Sequence, residues 1–351
     1  MQQQQIGWIA VTEKRRNAVD IFVNQTAAGV LRGGADAARP VPVSMVGRSS
    51  RMRKDIRARV TQRMAAICIT AVLSTLGAAA RADSTSGKIP SSGGMVSASP
   101  GVPGGASTDD PCGGSEGLLA ILDRPTVGDS ACVVPSSHVV LELGVQRTNF
   151  LDDSHGYNFP EAEFRIGIPG NNELVLLTPN YSRQKLGNSI VSGPGATVIG
   201  IKHELGYSGD WLGAIESLVT LPSGNAIYGS RGTGVAVNGI VNYSPTGSTS
   251  VAMMMGVSSQ TLARASGGAR YASVNPDFVA TWTPLRRVQL YAEVYGQSRT
   301  SPNESWGWNA DGGIQYLVTP NVEIDSEVGY RLAGNLGGFQ RYVGVGLGLK
   351  Y

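Results

Sequence analysis

Residues 339–351 at the C-terminus read FQRYVGVGLGLKY, and this stretch has the clearest strand pattern of the chain. Its apolar residues alternate with small or polar residues, and the last position is the aromatic Tyr351. A period of two over such a run is typical of a β-strand with one apolar face and one polar or small face. The pattern fits a water-soluble sandwich and also the closing strand of a transmembrane barrel, so the rest of the sequence decides between them.

The N-terminal part of the chain is basic, whereas the remainder is acidic. Residues 1–82 hold 13 Lys/Arg against 4 Asp/Glu, and residues 83–351 hold 16 against 22. The basic residues precede an apolar run at 64–80 that ends in Ala80, Arg81 and Ala82, the pattern of a cleavable secretory signal. We therefore predict a signal peptide at 52–82 and an upstream extension at 1–51, which is not translated if synthesis begins at Met52.

Two further segments precede the main domain. Residues 83–110 are rich in Ser, Gly and Pro, which predicts a flexible linker. Residues 111–137 contain Cys112 and Cys132 around a short apolar block, and two cysteines in an exported chain usually pair. We predict a disulfide in a periplasmic segment, and whether this segment plugs the main domain stays open. The cysteine spacing does not support a metal site.

From residue 138 onward the chain consists of alternating segments, each about ten residues long and bounded by turn residues. This pattern predicts an all-β domain over 138–351, a transmembrane up-and-down antiparallel β-barrel of about twelve strands. The strands are expected to begin near His138, Tyr157, Glu173, Thr197, Trp211, Thr233, Thr249, Ala272, Val288, Trp306, Val322 and Phe339.

The predicted connections differ between the two ends of the strands. Brief links follow the second, fourth, eighth and tenth strands, at 169–172, 208–210, 284–286 and 320–321. Longer polar links follow the third, fifth, seventh and ninth, at 182–196, 222–232, 260–270 and 297–305. Short turns on one rim and long loops on the other are typical of a transmembrane barrel, whereas Greek-key sandwiches give no such regularity.

Aromatic residues and glycines add to this prediction. Aromatic residues near the strand ends predict two girdles at the membrane interfaces: Trp211, Tyr243, Trp282, Trp306, Tyr316, Phe339 and Tyr351. In the last strand, Gly344, Gly346 and Gly348 should all face inward. Missing side chains at these positions would leave room in the lumen, which favours a passage.

Four segments resemble the outer-membrane transporters labelled as belonging to the meta-pathway of phenol degradation. They are LPSG at 221–224, YAEVYG at 291–296, DGGIQYLVTPNVEIDSEVGYRLAG at 311–334 and YVGVGLGLKY at 342–351. The resemblance covers about residues 139–351. It implies a Gram-negative outer-membrane barrel that passes small hydrophobic or aromatic compounds, and it carries no set of binding residues to this chain.

The polar faces of the predicted strands nominate the lumen residues. These are Glu142, Glu163, Arg165, Lys202, Glu204, Glu216, Glu293, Asp311, Glu323, Asp325, Glu327, Arg331 and Lys350. Glu323, Asp325 and Glu327 are the best candidates for selectivity, with Arg331 and Lys350 as their expected neighbours. A mainly acidic lumen would favour cations or neutral solutes over anions. Alternatively, these charges pair across strands and fill a closed lumen.

We predict an outer-membrane channel for passive passage of small, hydrophobic or aromatic molecules. A structural or adhesive barrel without transport is the main alternative. A barrel lipid hydrolase is disfavoured, because none of His138, His155 and His203 is followed by the H-x-S-N-G type of run seen in barrel phospholipases. The expected partners are outer-membrane lipid, the solute, and the outer-membrane assembly machinery through the C-terminal strand. We expect no cofactor and no nucleic-acid partner.

Overall fold

The computed structural model of the protein describes residues 112–113 and 116–351. The predicted upstream extension, signal peptide and linker lie outside these residues. Among the described residues, no helix has the length and apolar character needed to cross a membrane.

The described chain contains one short α-helix, two 3₁₀ turns at Arg264–Ser266 and Leu336–Gly338, and one fifteen-stranded antiparallel sheet. Helix α1 spans Gly117–Ile121. The strands are β1 (Val139–Phe150), β2 (His155–Phe159), β3 (Glu163–Ile168), β4 (Asn172–Leu177), β5 (Tyr181–Leu186), β6 (Ser189–Pro194), β7 (Val198–Ser208), β8 (Trp211–Thr220), β9 (Gly234–Thr246), β10 (Thr249–Thr261), β11 (Arg270–Leu285), β12 (Val288–Gln297), β13 (Gly307–Thr319), β14 (Val322–Ala333) and β15 (Phe339–Lys350).

Six of the strands are halves of three interrupted barrel strands. Strand β1 pairs with β3 along its first half and with β2 along its second half. In the same way, β3 and β2 pair with β4 and β5, which pair in turn with β7 and β6. The remaining nine strands are continuous, so the wall has twelve strands in sequence order, and the predicted number is confirmed.

The sheet closes on itself through its first and last strands. Strands β1 and β15 are antiparallel partners from Val140 opposite Lys350 to Phe150 opposite Phe339. Closure gives the backbone groups of both strands a partner, as a bilayer without water requires. The fold is therefore one transmembrane cylinder and not two stacked sheets.

The two rims of the barrel differ in the length of their connections. We define the short-turn rim by the turns at 169–171, 209–210, 247–248, 286–287 and 320–321, together with the start of β1 and the end of β15. The long-loop rim carries the connections 151–154, 187–188, 221–233, 262–269, 298–306 and 334–338. In bacterial barrels the short turns face the periplasm.

The predicted loop at 182–196 is wrong, because β5 and β6 form a hairpin that continues the barrel wall on the side of the long-loop rim. Its tight turn uses Gly187 at φ 58°. On the inner face, Ser182 hydrogen-bonds Asn158 at 2.9 Å, while the outer face includes Arg183 and Lys185. Since both faces are polar, alternating hydropathy could not reveal these strands.

The predicted girdle is mostly found at the outer surface. Trp211, Trp282, Trp306, Tyr316 and Tyr351 are exposed, and Tyr243 is half-buried with its ring 4.5 Å from that of Trp211. Phe339 is the exception, since it is only 3 % exposed and packs inside the barrel against Tyr342. A register shift between β1 and β15 next to Phe339 turns its side chain inward. Its assignment to the membrane interface was therefore wrong.

Candidate functional site: a lumen occupied by the chain itself

Residues 117–134, here termed the plug segment, lie inside the barrel. The apolar side chains of α1 and the following Leu122 are buried in one cluster with inward residues near the short-turn ends of the strands: Val140, Leu212, Ala214, Ile240, Met254 and Leu317. Apolar burial of this kind holds the helix in the lumen at the short-turn rim. The segment predicted to be periplasmic therefore enters the barrel, because its apolar block finds an apolar ring there.

The predicted disulfide joins Cys112 to Cys132, and both residues are buried. The bond spans a sequence separation of 20, so it closes most of the plug segment into a loop. Closing a loop of this size stabilises the ordered state by restricting the unordered one.

Arg165 and Lys202 fix the plug segment from the barrel wall. Lys202 Nζ lies 2.9 Å from Asp123 Oδ2, and Arg165 Nη1 lies 3.3 Å from the same oxygen. Arg165 also donates to Glu173 of the wall at 2.8 Å and to the backbone oxygens of Ile121 and Cys132. One buried guanidinium on β3 thus binds the plug segment at both Ile121 and Cys132, and it also binds Glu173 on β4.

Wall carboxylates accept hydrogen bonds from the backbone of the plug segment. Glu142 accepts from the amides of Asp123 and Arg124, at 3.2 and 2.6 Å. Glu293 accepts from the amides of Val127 and Gly128, at 2.9 and 2.7 Å. The Val134 amide donates to Glu173 at 2.7 Å. Buried amides are therefore satisfied by the charges of the lumen.

Arg124 reaches from the plug segment into a group of three carboxylates. Its guanidinium lies 3.0 Å from Glu161, 3.2 Å from Asp325 and 3.9 Å from Glu327. Glycine in the wall makes room for it, since a Cβ at Gly346 would lie 2.5 Å from Arg124 Nε. The inward glycines of β15 therefore accommodate the plug segment, whereas the sequence had indicated an open passage.

The structure places most predicted lumen residues inside the barrel. Glu142, Arg165, Lys202, Glu216, Glu293, Asp311, Glu323, Asp325 and Glu327 are buried, and Glu163, Glu204 and Lys350 are half-buried. Arg331 is exposed at the long-loop rim, where it donates to the Gly334 oxygen at 3.0 Å. The pairing of β14 with β15 ends at Tyr330, so Arg331 turns toward the following loop. Arg124, and neither Arg331 nor Lys350, is the cation beside the β14 carboxylates.

Sequence reasoning missed several residues of this site. Asp123 and Arg124 contribute the central charges, and Glu161, Glu173 and Asp277 are buried at the wall. A charged pair directly after the apolar block of α1, between two cysteines, was an available signal for the first two. Glu173 gave none, because its strand carries apolar residues on both faces.

A cavity of about 540 Å³ lies between the plug segment and the wall formed by β9–β13. Leu119 and Leu122 line the plug side. The wall side carries hydrogen-bonded pairs of uncharged groups, Ser250 with Thr281 at 2.6 Å and Gln289 with Gln315 at 2.7 Å. Turn residues 247–248 also line it, so the cavity adjoins the short-turn rim.

The fold and the filled lumen define a class, a twelve-stranded transmembrane barrel whose own N-terminal segment enters from the short-turn rim. The chain belongs to the family described as "Putative MetA-pathway of phenol degradation", which matches residues 122–350. The match begins at Leu122 and so includes most of the plug segment. The four sequence segments that carried the resemblance all lie at residue 221 or later and do not include it.

A solved structure supports the fold. The chain is similar to the COG4313 outer membrane channel from Pseudomonas putida F1, at 11% identity and a TM-score of 0.54, covering 64% of this chain and 100% of that one. The KdgM porin matches at 10% identity and a TM-score of 0.43, covering 60% and 99%. A comparison with curated proteins found no match.

Proposed function

We propose that this protein is an outer-membrane channel for the passive passage of small molecules, with the plug segment narrowing its lumen. The observation that carries the proposal is the cavity of about 540 Å³ beside the plug segment. A barrel with a purely structural role has no need of a cavity whose wall side is lined mainly by hydroxyl and amide groups. The solute path then runs between the plug segment and β9–β13.

The solute class in this proposal is small, uncharged, and hydrophobic or aromatic. Leu119, Leu122 and Val279 give the cavity apolar surface, while hydroxyl and amide groups lie along the wall. Such a mixture accommodates an apolar body with a small polar substituent. The family description, which names phenol degradation, is consistent with a solute of this kind.

We further propose that the channel prefers cations over anions among ionic solutes. Buried carboxylates on β12, β13 and β14 outnumber the cations Arg124, Arg165 and Lys202 of the lumen. A negative field in a narrow pore repels anions. Glu323 is the carboxylate to substitute first, since no described cation lies within ion-pair distance of it, whereas Asp325 and Glu327 share Arg124.

A matched pair of substitutions tests the path. Ala252 lines the cavity from β10, whereas Ala280 on the neighbouring β11 is exposed on the lipid face, directly opposite Val251. Ala252→Phe should fill part of the cavity and reduce both single-channel conductance and solute uptake. Ala280→Phe adds the same side chain outside the barrel and should change neither.

The outcomes separate the proposal from its alternatives. Equal conductance in both variants would place the path elsewhere in the lumen. Purified wild-type protein without any conductance or solute uptake would instead favour a structural or adhesive barrel.

A further inference from the structure

Three adjacent barrel strands are interrupted at one level of the wall. The breaks lie at 160–162, 178–180 and 195–197, and backbone hydrogen bonds from Thr178 to Ala162 and from Gly195 to Asn180 place them side by side. Each break has a proline in it or directly before it, namely Pro160, Pro179 and Pro194. Proline has no amide to donate, so each of these residues removes one hydrogen bond from the ladder at or next to a break.

Beyond the breaks, the wall lacks one strand-to-strand contact. Strand β7 pairs with β8 up to Val198 opposite Thr220, whereas β6 ends the strand order with β5 as its described strand neighbour. The loop 221–232, here termed the latch loop, lies along this edge. It contains the LPSG sequence that contributed to the family resemblance.

The latch loop replaces the missing ladder with a few separate hydrogen bonds. The backbone N–H of Asn225 donates to the Pro194 carbonyl oxygen at 3.0 Å, and its side-chain Nδ2 donates to the Ser192 carbonyl oxygen at 3.2 Å. Tyr228 donates from its hydroxyl to the Val191 oxygen at 3.2 Å.

The close approach of the latch loop to the broken strand depends on Gly224. Its φ is 84°, and a Cβ there would lie 2.3 Å from the Gly195 oxygen. This contact places the loop backbone directly against the break at 195–197, between β6 and β7. The loop therefore fits the gap closely while using non-repetitive structure.

Apolar surface lies on both sides of this region. Inside the barrel, Val175, Val198, Leu218 and Ala236 form a buried cluster. Outside, Leu176 and Ile199 are exposed below the breaks, and Phe159 and Tyr181 are exposed above them. The breaks thus lie at the outer part of the apolar band. Irregular backbone at such a depth is tolerated where it is buried in protein or lines a cavity.

We propose that the latch loop closes a lateral portal in the barrel wall, through which a small apolar solute passes between the lumen and the outer leaflet. The inference rests on the proposed channel function and names the exit used by its apolar solutes. An apolar molecule crosses this region without leaving apolar surroundings. A charged or strongly hydrated solute would lose its hydration there at high cost.

A crosslink tests the portal in intact cells whose outer leaflet is lipopolysaccharide. Ser192 on β6 and Ala226 on the latch loop are both exposed, and the double variant Ser192→Cys/Ala226→Cys is joined by a short bis-maleimide. Uptake of radiolabelled naphthalene is compared with potassium conductance of the purified protein in planar bilayers. The control links Ser301→Cys to Glu304→Cys, which bridge another loop of the same rim.

Joining 192 to 226 should lower naphthalene uptake to the level of cells without the protein and leave conductance unchanged. The 301–304 link should change neither. Unaltered uptake in the fully crosslinked protein overturns the portal, and so does a parallel fall in conductance, which would make the loop a constriction of the lumen. If wild-type protein supports neither uptake nor conductance, the proposed channel function itself fails and the portal with it.

A second variant loosens the latch loop. Asn225→Ala with Tyr228→Phe removes the two side-chain hydrogen bonds to the edge of β6. Naphthalene uptake should rise while potassium conductance stays the same. An unchanged uptake rate in this variant argues against the latch, provided that the protein still shows the heat-dependent gel shift of a folded barrel.

Discussion

Arg124 Nη2 donates a 3.2 Å hydrogen bond to Asp325 Oδ1, although the two residues are 201 positions apart in the chain. The contact joins the plug segment to the strand that precedes the closing one. Both side chains are almost fully buried. The plug segment is therefore held by specific charge pairs as well as by the apolar packing of α1.

Replacing Arg124 should loosen the plug segment. Arg124→Gln leaves Glu161, Asp325 and Glu327 without their shared cation, and removal of one partner from a buried ion pair typically costs about 3–5 kcal/mol. We expect lower stability in urea and larger, noisier single-channel conductance. Arg264→Gln is the control, since Arg264 is exposed on the loop between β10 and β11. Identical conductance in the two variants would contradict an anchoring role of Arg124.

A small side chain at Gly346 should have a related effect. Gly346→Ala would bring a Cβ to 2.3 Å from Asp325 Oδ2 and 2.5 Å from Arg124 Nε. Overpacking of this kind costs about 1–3 kcal/mol and should push the pair apart, which raises conductance. Gly239→Ala is the matched control in β9, because no heavy atom lies within 4 Å of its Cβ position. A Gly346→Ala variant with wild-type stability and conductance would show that the side chains of Asp325 and Arg124 make room for the added methyl group without loosening the plug segment.

Neutralising Glu323 should weaken cation selectivity. Glu323→Gln removes one buried carboxylate that shares no described ion pair, so the plug segment should stay in place. The reversal potential in a potassium chloride gradient should shift toward that of an unselective pore. Reversing charge at Glu323, Asp325 and Glu327 together should shift it further, although this triple variant also disturbs Arg124. An unshifted potential in Glu323→Gln would mean that this side chain does not line the ion path.

Loss of the disulfide should increase the mobility of the plug segment. A crosslink of this length contributes about 3 kcal/mol by restricting the unordered segment. The Cys112→Ser/Cys132→Ser variant should therefore show more frequent opening events in planar bilayers. Reducing the wild-type protein should reproduce that behaviour, while the double-serine variant should not respond to reductant. A response of the double variant would assign the effect to something other than this bond.

The barrel could be predicted from sequence because the membrane imposes a strict pattern. Lipid on the outside and polar groups inside make β14 alternate from Val322 to Tyr330, and turns such as 320–321 fix the strand ends. The pattern fails where this constraint ends. Strands β5 and β6 carry polar residues on both faces, and the bulge beside Phe339 reverses one side chain.

The lumen residues were predicted by alternation, but their partners were not. Inward direction follows from strand parity, which holds for Glu323, Asp325 and Glu327. Their cation comes from Arg124, which lies in a segment without strand periodicity. A contact over such a sequence separation leaves no local signal, so the filling of the lumen became visible only in three dimensions.

The seam between β1 and β15 has a consequence for the order of assembly. The plug segment immediately precedes β1, and the seam cannot form until the final residues of the chain have been synthesised. Residues 117–134 must therefore occupy the interior before the ring seals, or thread in afterwards through the periplasmic mouth. In the first case the last strands pair around the anchoring charges, so that closure of the barrel and filling of its lumen occur in one step.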